Sequence, residues 1–329
     1  MENTRTSQRE EKHPSKPAES IDRNVGGQAV IEGVMMRSKK AIATAVRLPD
    51  GTIELKKQPF TSFIDRHRYL NLLILRGAIN FFEMLFIGLD TLNWSADVQI
   101  RYEDKSAGKT DSRWNRIKNI ILLTGTIVFA LALVLLLFFT LPIYIATLLG
   151  LAKGALLFNL VAGTIRLLLF LIYLFLVTKM PDVKRVFRYH GAEHMSVFAF
   201  EGAEALDIET ARTKSRFHPR CGTSFILIVA LFSILFFGLA DSAFPLIFGH
   251  LQSFLQRLAT HIMVLPIIAG ISYELLKLSG KFHSNGFVKI LIQPGLWLQK
   301  LTTGQPDDDM LEVALCALKA ALETEEGQR

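Results

Sequence analysis

The chain has 329 residues, half of them hydrophobic, and a formal net charge of +7. Its apolar residues gather into long runs, which excludes a soluble domain around one ordinary core and points to lipid. The basic excess flanks those runs, so it reads as topology and contact with anionic headgroups, and no nucleic-acid partner is expected.

Two cysteines, Cys221 and Cys316, make no disulfide framework and fit a reducing compartment. Residues 1–24 mix acids and bases around Pro14 and Pro17 without an apolar core, and read as a disordered cytosolic tail. Order begins near Gly26-Gly27. The glycines at 26, 27 and 33 match neither a phosphate loop nor a dinucleotide fingerprint. A glycine-bounded strand, a turn at Ser38-Lys39-Lys40, β-formers over 41–48 and a Pro49-Asp50-Gly51 turn predict a small β-meander over 25–60. Glu32 stands alone among apolar residues, and a structural pairing with Arg37 is expected.

The pattern then turns helical over 61–100. Arg76, Glu83 and Asp90 are spaced by seven and form one polar stripe. Three central charges disfavour a simple span. An amphipathic helix at the interface is the preferred reading; packing against other helices with Arg76 paired inward to Glu83 or Asp90 is the other. Residues 101–116 read as a charged loop. Four spans follow, near 118–149, 155–178, 223–248 and 255–278, with Lys153-Gly154 as the turn between the first two. The 179–222 loop carries eight Lys and Arg residues, so the positive-inside rule places it, and both termini, in the cytosol. Residues 286–325 add C-terminal helices, with Trp297 as an interface anchor and Leu311, Ala314, Leu315 and Leu318 on one apolar face.

Chemistry concentrates in the 179–222 loop. His190-Gly191-Ala192-Glu193-His194 follows the H-x-x-E-H order of inverted zincins, and on a helix the two imidazoles share a face. His218-Pro219-Arg220-Cys221 closes the loop with a second ligand-like pair. His190 and His194 are candidate ligands for a divalent metal, zinc first; His218 or Cys221 supplies the third, with Glu274 as rival. Glu193 is the candidate general base, and Glu201 and Glu204 are candidates for hydrogen bonds to the imidazoles. Cys221 beside Arg220 and near His218 also permits a Cys–His nucleophile. Against these, the same residues can contact headgroups or end a helix, and Gly191 weakens the helix that aligns them.

The runs GGQAVIEGVMMR at 26–37, Arg76-Gly77, DVKRVFRYHGAEH at 182–194, HPRCGTSF at 218–225, Tyr273-Glu274 and PGLWLQKLTT at 294–303 resemble the YqhQ-like family of bacterial membrane proteins. The resemblance covers nearly all of Gly26 to Leu322. Met195 follows His194 where lysine is expected from the family. The family is a domain of unknown function described as a predicted metal-dependent enzyme, so the resemblance implies a multi-pass protein of the bacterial inner membrane.

The expected fold is mostly α: a polytopic helical membrane protein of about four transmembrane helices plus an interfacial helix, with the β-meander and a cytosolic metal-site loop. Three functions follow as expectations: a metal-dependent hydrolase acting on a membrane-proximal peptide or lipid-linked substrate, a non-enzymatic scaffold with a structural metal, and a transport component resting on Arg166. Membrane lipid is the expected partner, with a protein partner or homo-oligomer beside it.

Overall fold

A computed structural model describes residues 25–107, 113–151, 156–281 and 286–327. The expected tail at 1–24 and the Lys153-Gly154 turn lie outside the described residues. Four strands, β1 (Gly26–Val30), β2 (Gly33–Arg37), β3 (Ala41–Arg47) and β4 (Ile53–Pro59), pair antiparallel in sequence order. The 26–37 stretch is therefore a hairpin rather than one strand, reversed at Ile31-Glu32, where Glu32 takes φ 51°. Glu32 does not pair with Arg37. The turn aims it at Arg185, whose guanidinium grips both carboxylate oxygens, while Arg37 lies over the Phe60 ring at 4.6 Å.

A short helix α1 (Phe63–Arg66) leads into the long α2 (Leu75–Ala107). Next come α3 (Arg113–Leu135), a π-turn at Leu136–Thr140, α4 (Leu141–Leu148) and α5 (Leu156–Val177). The π-turn sits just before Pro142, whose missing amide breaks the regular ladder. The expected loop over 179–222 is largely helical, as α6 (Pro181–Glu201) and α7 (Ile208–Arg212). The chain closes with α8 (Gly222–Phe248), α9 (Phe254–Lys281), α10 (Gly286–Thr302) and α11 (Asp308–Glu326). The expected charged loop at 101–116 is likewise mostly helix. Arg, Glu and Lys favour helix nearly as well as Ala, so charge alone did not end α2; residues 108–112 lie outside the described ones.

Four helices are long and apolar enough to cross a membrane: Thr124–Leu148, Leu156–Val177, Gly222–Phe248 and Phe254–Leu278. Beside them the sheet is covered on both faces, which explains why β2 and β3 read as nearly continuous apolar runs. On one face Val34, Met36, Ala43 and Ala45 pack with Tyr189 and Met195 of α6 and with Leu311, Leu315 and Leu318 of α11. On the other, Val30, Met35, Ile42 and Val46 meet Val98, with Met84, Ile87 and Trp94 alongside, all from α2.

The polar stripe of α2 is fully engaged, but its partners lie in other elements. Arg76 makes a two-pronged ion pair with Glu274 of α9 at 2.5 and 2.6 Å. Glu83 accepts from Ser62 Oγ at 2.8 Å and the Phe63 amide at 2.7 Å, which starts α1. Asp90 meets Lys56 of β4 at 3.3 Å.

Candidate metal centre

Pro181 opens α6 at a position where its missing amide costs nothing. The helix then runs without a break through the H-x-x-E-H stretch, so His190 and His194 stand one turn apart with ring centroids 4.5 Å from each other. Gly191 does not break the helix. It makes room for a crossing strap: a Cβ there would fall on the Gly304 carbonyl oxygen, and the Gly304 amide donates to Phe187 O at 2.7 Å.

Cys221 reaches the same point from the other side. It is the N-cap of α8, its sulfur accepting from the Thr223 amide at 3.4 Å. Cys221 Sγ lies 3.2 Å from His190 Nε2, and one ligand atom from each of His190, His194 and Cys221 lies within 4.8 Å of the others. A tetrahedral zinc site with usual bond lengths has an N···S edge of about 3.5 Å, so the donor set fits a bound ion.

The second contacts of both imidazoles fix which nitrogen is available. His190 Nδ1 lies 2.8 Å from Thr302 O, and His194 Nδ1 lies 2.6 Å from Arg216 O. A carbonyl only accepts, so each Nδ1 carries the proton and each Nε2 keeps its lone pair for the shared centre. Burial holds the His194 imidazole below its ordinary pKa, in the neutral form that ligates.

Glu193 is buried beside the trio, its Oε2 3.5 Å from His194 Nε2. Burial pushes its carboxyl above the usual range, against the pull of His190, His218 and a hydrogen bond from the Gly27 amide. Strand β1 can press this close only because Gly27 has no side chain; a Cβ there would sit 2.7 Å from Glu193 Cγ.

The remaining candidates stand outside the trio. His218 is adjacent, its ring centroid 5.6 Å from that of His194, but both its nitrogens are engaged. Nδ1 accepts from the Arg220 amide at 3.3 Å, and Nε2 faces Glu201 Oε2 at 3.5 Å. The expected support from Glu201 is therefore given to His218, while Glu204 holds Lys214. Glu201 is held below its usual range: burial works against that, and His218 and Arg220 outweigh it. Glu274 is taken up by Arg76, and the structure does not bring it into the trio.

Helix α10 contributes residues that spacing did not reveal. Thr302 O orients His190, and the fully buried Gln299 accepts from the His218 amide and donates to His218 O and Ser224 Oγ, at 2.8, 2.8 and 3.0 Å. The 294–303 run carried the only signal for them.

The family described as Protein of unknown function (DUF1385) matches residues 72–324. The chain is 31% identical over 325 residues to the uncharacterized protein YqhQ of Bacillus subtilis (strain 168), covering 95% of each. The family match begins beyond the sheet, whereas the Bacillus alignment spans nearly the whole chain. No solved structure matches it.

Proposed function

The chain belongs to this DUF1385 family of unknown function, and we propose that it is a membrane protein holding one divalent metal ion, zinc first, at the cytosolic end of its helix bundle. His190, His194 and Cys221 hold the ion. One observation carries the reading: two imidazoles, each with Nδ1 engaged by a backbone carbonyl, turn their remaining lone pairs toward one cysteine sulfur. A Cys–His nucleophile needs one such imidazole, not two.

Three protein ligands leave a fourth position for water or substrate. A metal there supplies Lewis-acid polarisation and a more acidic water. Glu193 then serves as the base that takes the proton from the attacking water, its burial making it more basic than a solvated carboxylate. Cys221 caps a helix apolar enough to cross a membrane, so the reaction takes place at the membrane boundary. Hydrolysis of a membrane-proximal peptide or lipid-linked group fits that position. The basic residues between Lys179 and Arg220 support a cytosolic orientation.

The burial of His194, Glu193 and Cys221 supports a second reading, a closed structural site in a scaffold protein. Metal content of the purified protein tests the centre. About one zinc per chain is expected in wild type, with none in His190→Ala/His194→Ala at matched folding; metal-free wild type removes both readings. Glu193→Gln then separates them. A hydrolase keeps its metal and loses turnover, whereas a scaffold keeps its metal and its partner.

A further inference from the structure

The connection from β4 to α2 presents a run of large apolar side chains to the outside. Tyr69, Leu72 and Leu73 are 74%, 61% and 70% exposed, and Arg66 and Arg68 stand exposed just before them. A patch of this kind marks an interaction surface. Its place relative to the four spans decides what covers it.

Two contacts fix that place. A Cβ on Gly270 of α9 would lie 2.3 Å from Ile74 O, so the turn before α2 presses directly on the α9 backbone. Gly270 is eight residues inside the end of the span Phe254–Leu278, about 12 Å of helix rise. That span has 25 residues and exceeds a hydrocarbon core of about 30 Å by roughly 4 Å at each end. Ile74 therefore lies about 8 Å below the hydrocarbon edge. Phe81 gives the second mark. Its ring centroid is 5.5 Å from that of Phe225, three residues into the span Gly222–Phe248 and so at the edge itself. Seven residues of α2 separate Phe81 from Ile74, roughly 10 Å, and the two marks agree. On the way in, Ser62 and Phe63 bond Glu83, two residues beyond Phe81, so the chain enters and leaves at one level.

The turn is held firmly. Ile74 takes φ 73°, an outlier for a β-branched residue, and it is pinned on Gly270. Backbone groups are met within the turn, as hydrocarbon requires. The Leu70 and Asn71 amides donate to His67 O and Arg68 O at 2.9 and 3.1 Å, and the Arg76 and Ala78 amides to Leu72 O and Ile74 O at 3.0 and 3.1 Å. Arg76, on the way out, is neutralised by its two-pronged pair with Glu274.

We propose that residues 69–75 are a re-entrant wedge seated in the lipid leaflet at the metal-centre end of the bundle. Acyl chains cover Tyr69, Leu72 and Leu73, and Arg66 and Arg68 reach the headgroup phosphates above them. The wedge leaves on the side it entered, so it adds no crossing. It stands whether or not a metal is bound.

Spin labelling of the full chain in vesicles of equal parts phosphatidylglycerol and phosphatidylcholine tests it. A nitroxide is attached at Leu72→Cys or Leu73→Cys in a Cys316→Ser background, and the background chain alone reports any label on the buried Cys221. Collisions with oxygen, which concentrates among acyl chains, are compared with collisions with a water-soluble nickel chelate. Leu235→Cys, exposed midway along α8, is the lipid reference, and Glu209→Cys on α7 is the water reference. Both wedge positions are expected to match Leu235→Cys, with an oxygen-to-nickel ratio several-fold above that of Glu209→Cys, and Arg66→Cys is expected to fall between the references. A ratio like that of Glu209→Cys at the wedge overturns the proposal. Shielding from both reagents, with dipolar broadening that disappears on dilution with unlabelled protein, also overturns it, because a second copy then covers the patch. If one leucine variant does not fold, the other decides.

Discussion

Glu193 is a buried carboxylic acid beside the candidate metal centre. Its carboxyl is buried between the Gly27 amide and His194, and burial raises its folded-state pKa above the unfolded value. The sign follows from linkage. The favourable contribution is fully present below the unfolded pKa of about 4.3 and is lost as pH rises through the folded value. Metal-free Glu193→Gln should therefore be more stable than metal-free wild type at neutral pH, by about 1–3 kcal/mol, with the gap closing toward pH 4. Urea unfolding at a series of pH values checks this, and parallel curves at every pH would show that the carboxylate carries no desolvation cost. The pairing of His190 with His194 was legible because a four-residue spacing fixes two side chains on one helical face. His218 and Glu274 read equally well as ligands, since spacing reports proximity along the chain and not where a lone pair points. What removes them from the trio is Glu201 in one case and Arg76, 198 residues away, in the other.

At the level of elements, α6 is held between two crossing segments, β1 over Glu193 and the Gly304 strap over Gly191. Gly191→Ala therefore tests packing against propensity. In an exposed helix the change stabilises by about 1 kcal/mol. Here the new methyl displaces the Gly304 carbonyl, and a net loss of about 1–3 kcal/mol is expected, together with weaker metal retention as Thr302 O shifts away from His190. A gain in melting temperature would mean that the strap is free to move. The four spans were readable to within a few residues because lipid demands an uninterrupted apolar length. The 101–116 stretch was not, because charged residues are compatible with both a loop and a solvated helix, and only the partners decide. Arg101, for one, reaches Glu54 of β4 at 3.3 Å. The polar stripe of α2 showed the same limit: its period was visible, but its partners in α9, α1 and β4 were not.

For the whole molecule, one shared core constrains topology more tightly than any single span. The sheet precedes every membrane helix in sequence and α11 follows them all, yet both pack into the same apolar cluster with α6. An even number of crossings must therefore separate them. Four spans satisfy this, and counting α2 as a fifth would not. The stretch of α2 from Met84 to Val98 also packs on the second face of the sheet, which keeps it on that side. With all four helices crossing, the α8–α9 connection is expected across the membrane from α7, and His250 and Glu209 are exposed at the two places. One cysteine introduced at each of these positions, in a Cys316→Ser background that leaves only the buried Cys221 beside it, tests how the bundle sits in the membrane. In intact bacteria a membrane-impermeant maleimide should label His250→Cys at once and Glu209→Cys only after permeabilisation. The reverse pattern would put the His190, His194 and Cys221 cluster outside the cell and contradict the basic-residue argument. Equal labelling of both in intact cells would break the four-span count itself, because a core joining the two ends of the chain leaves no odd number of crossings to fall back on.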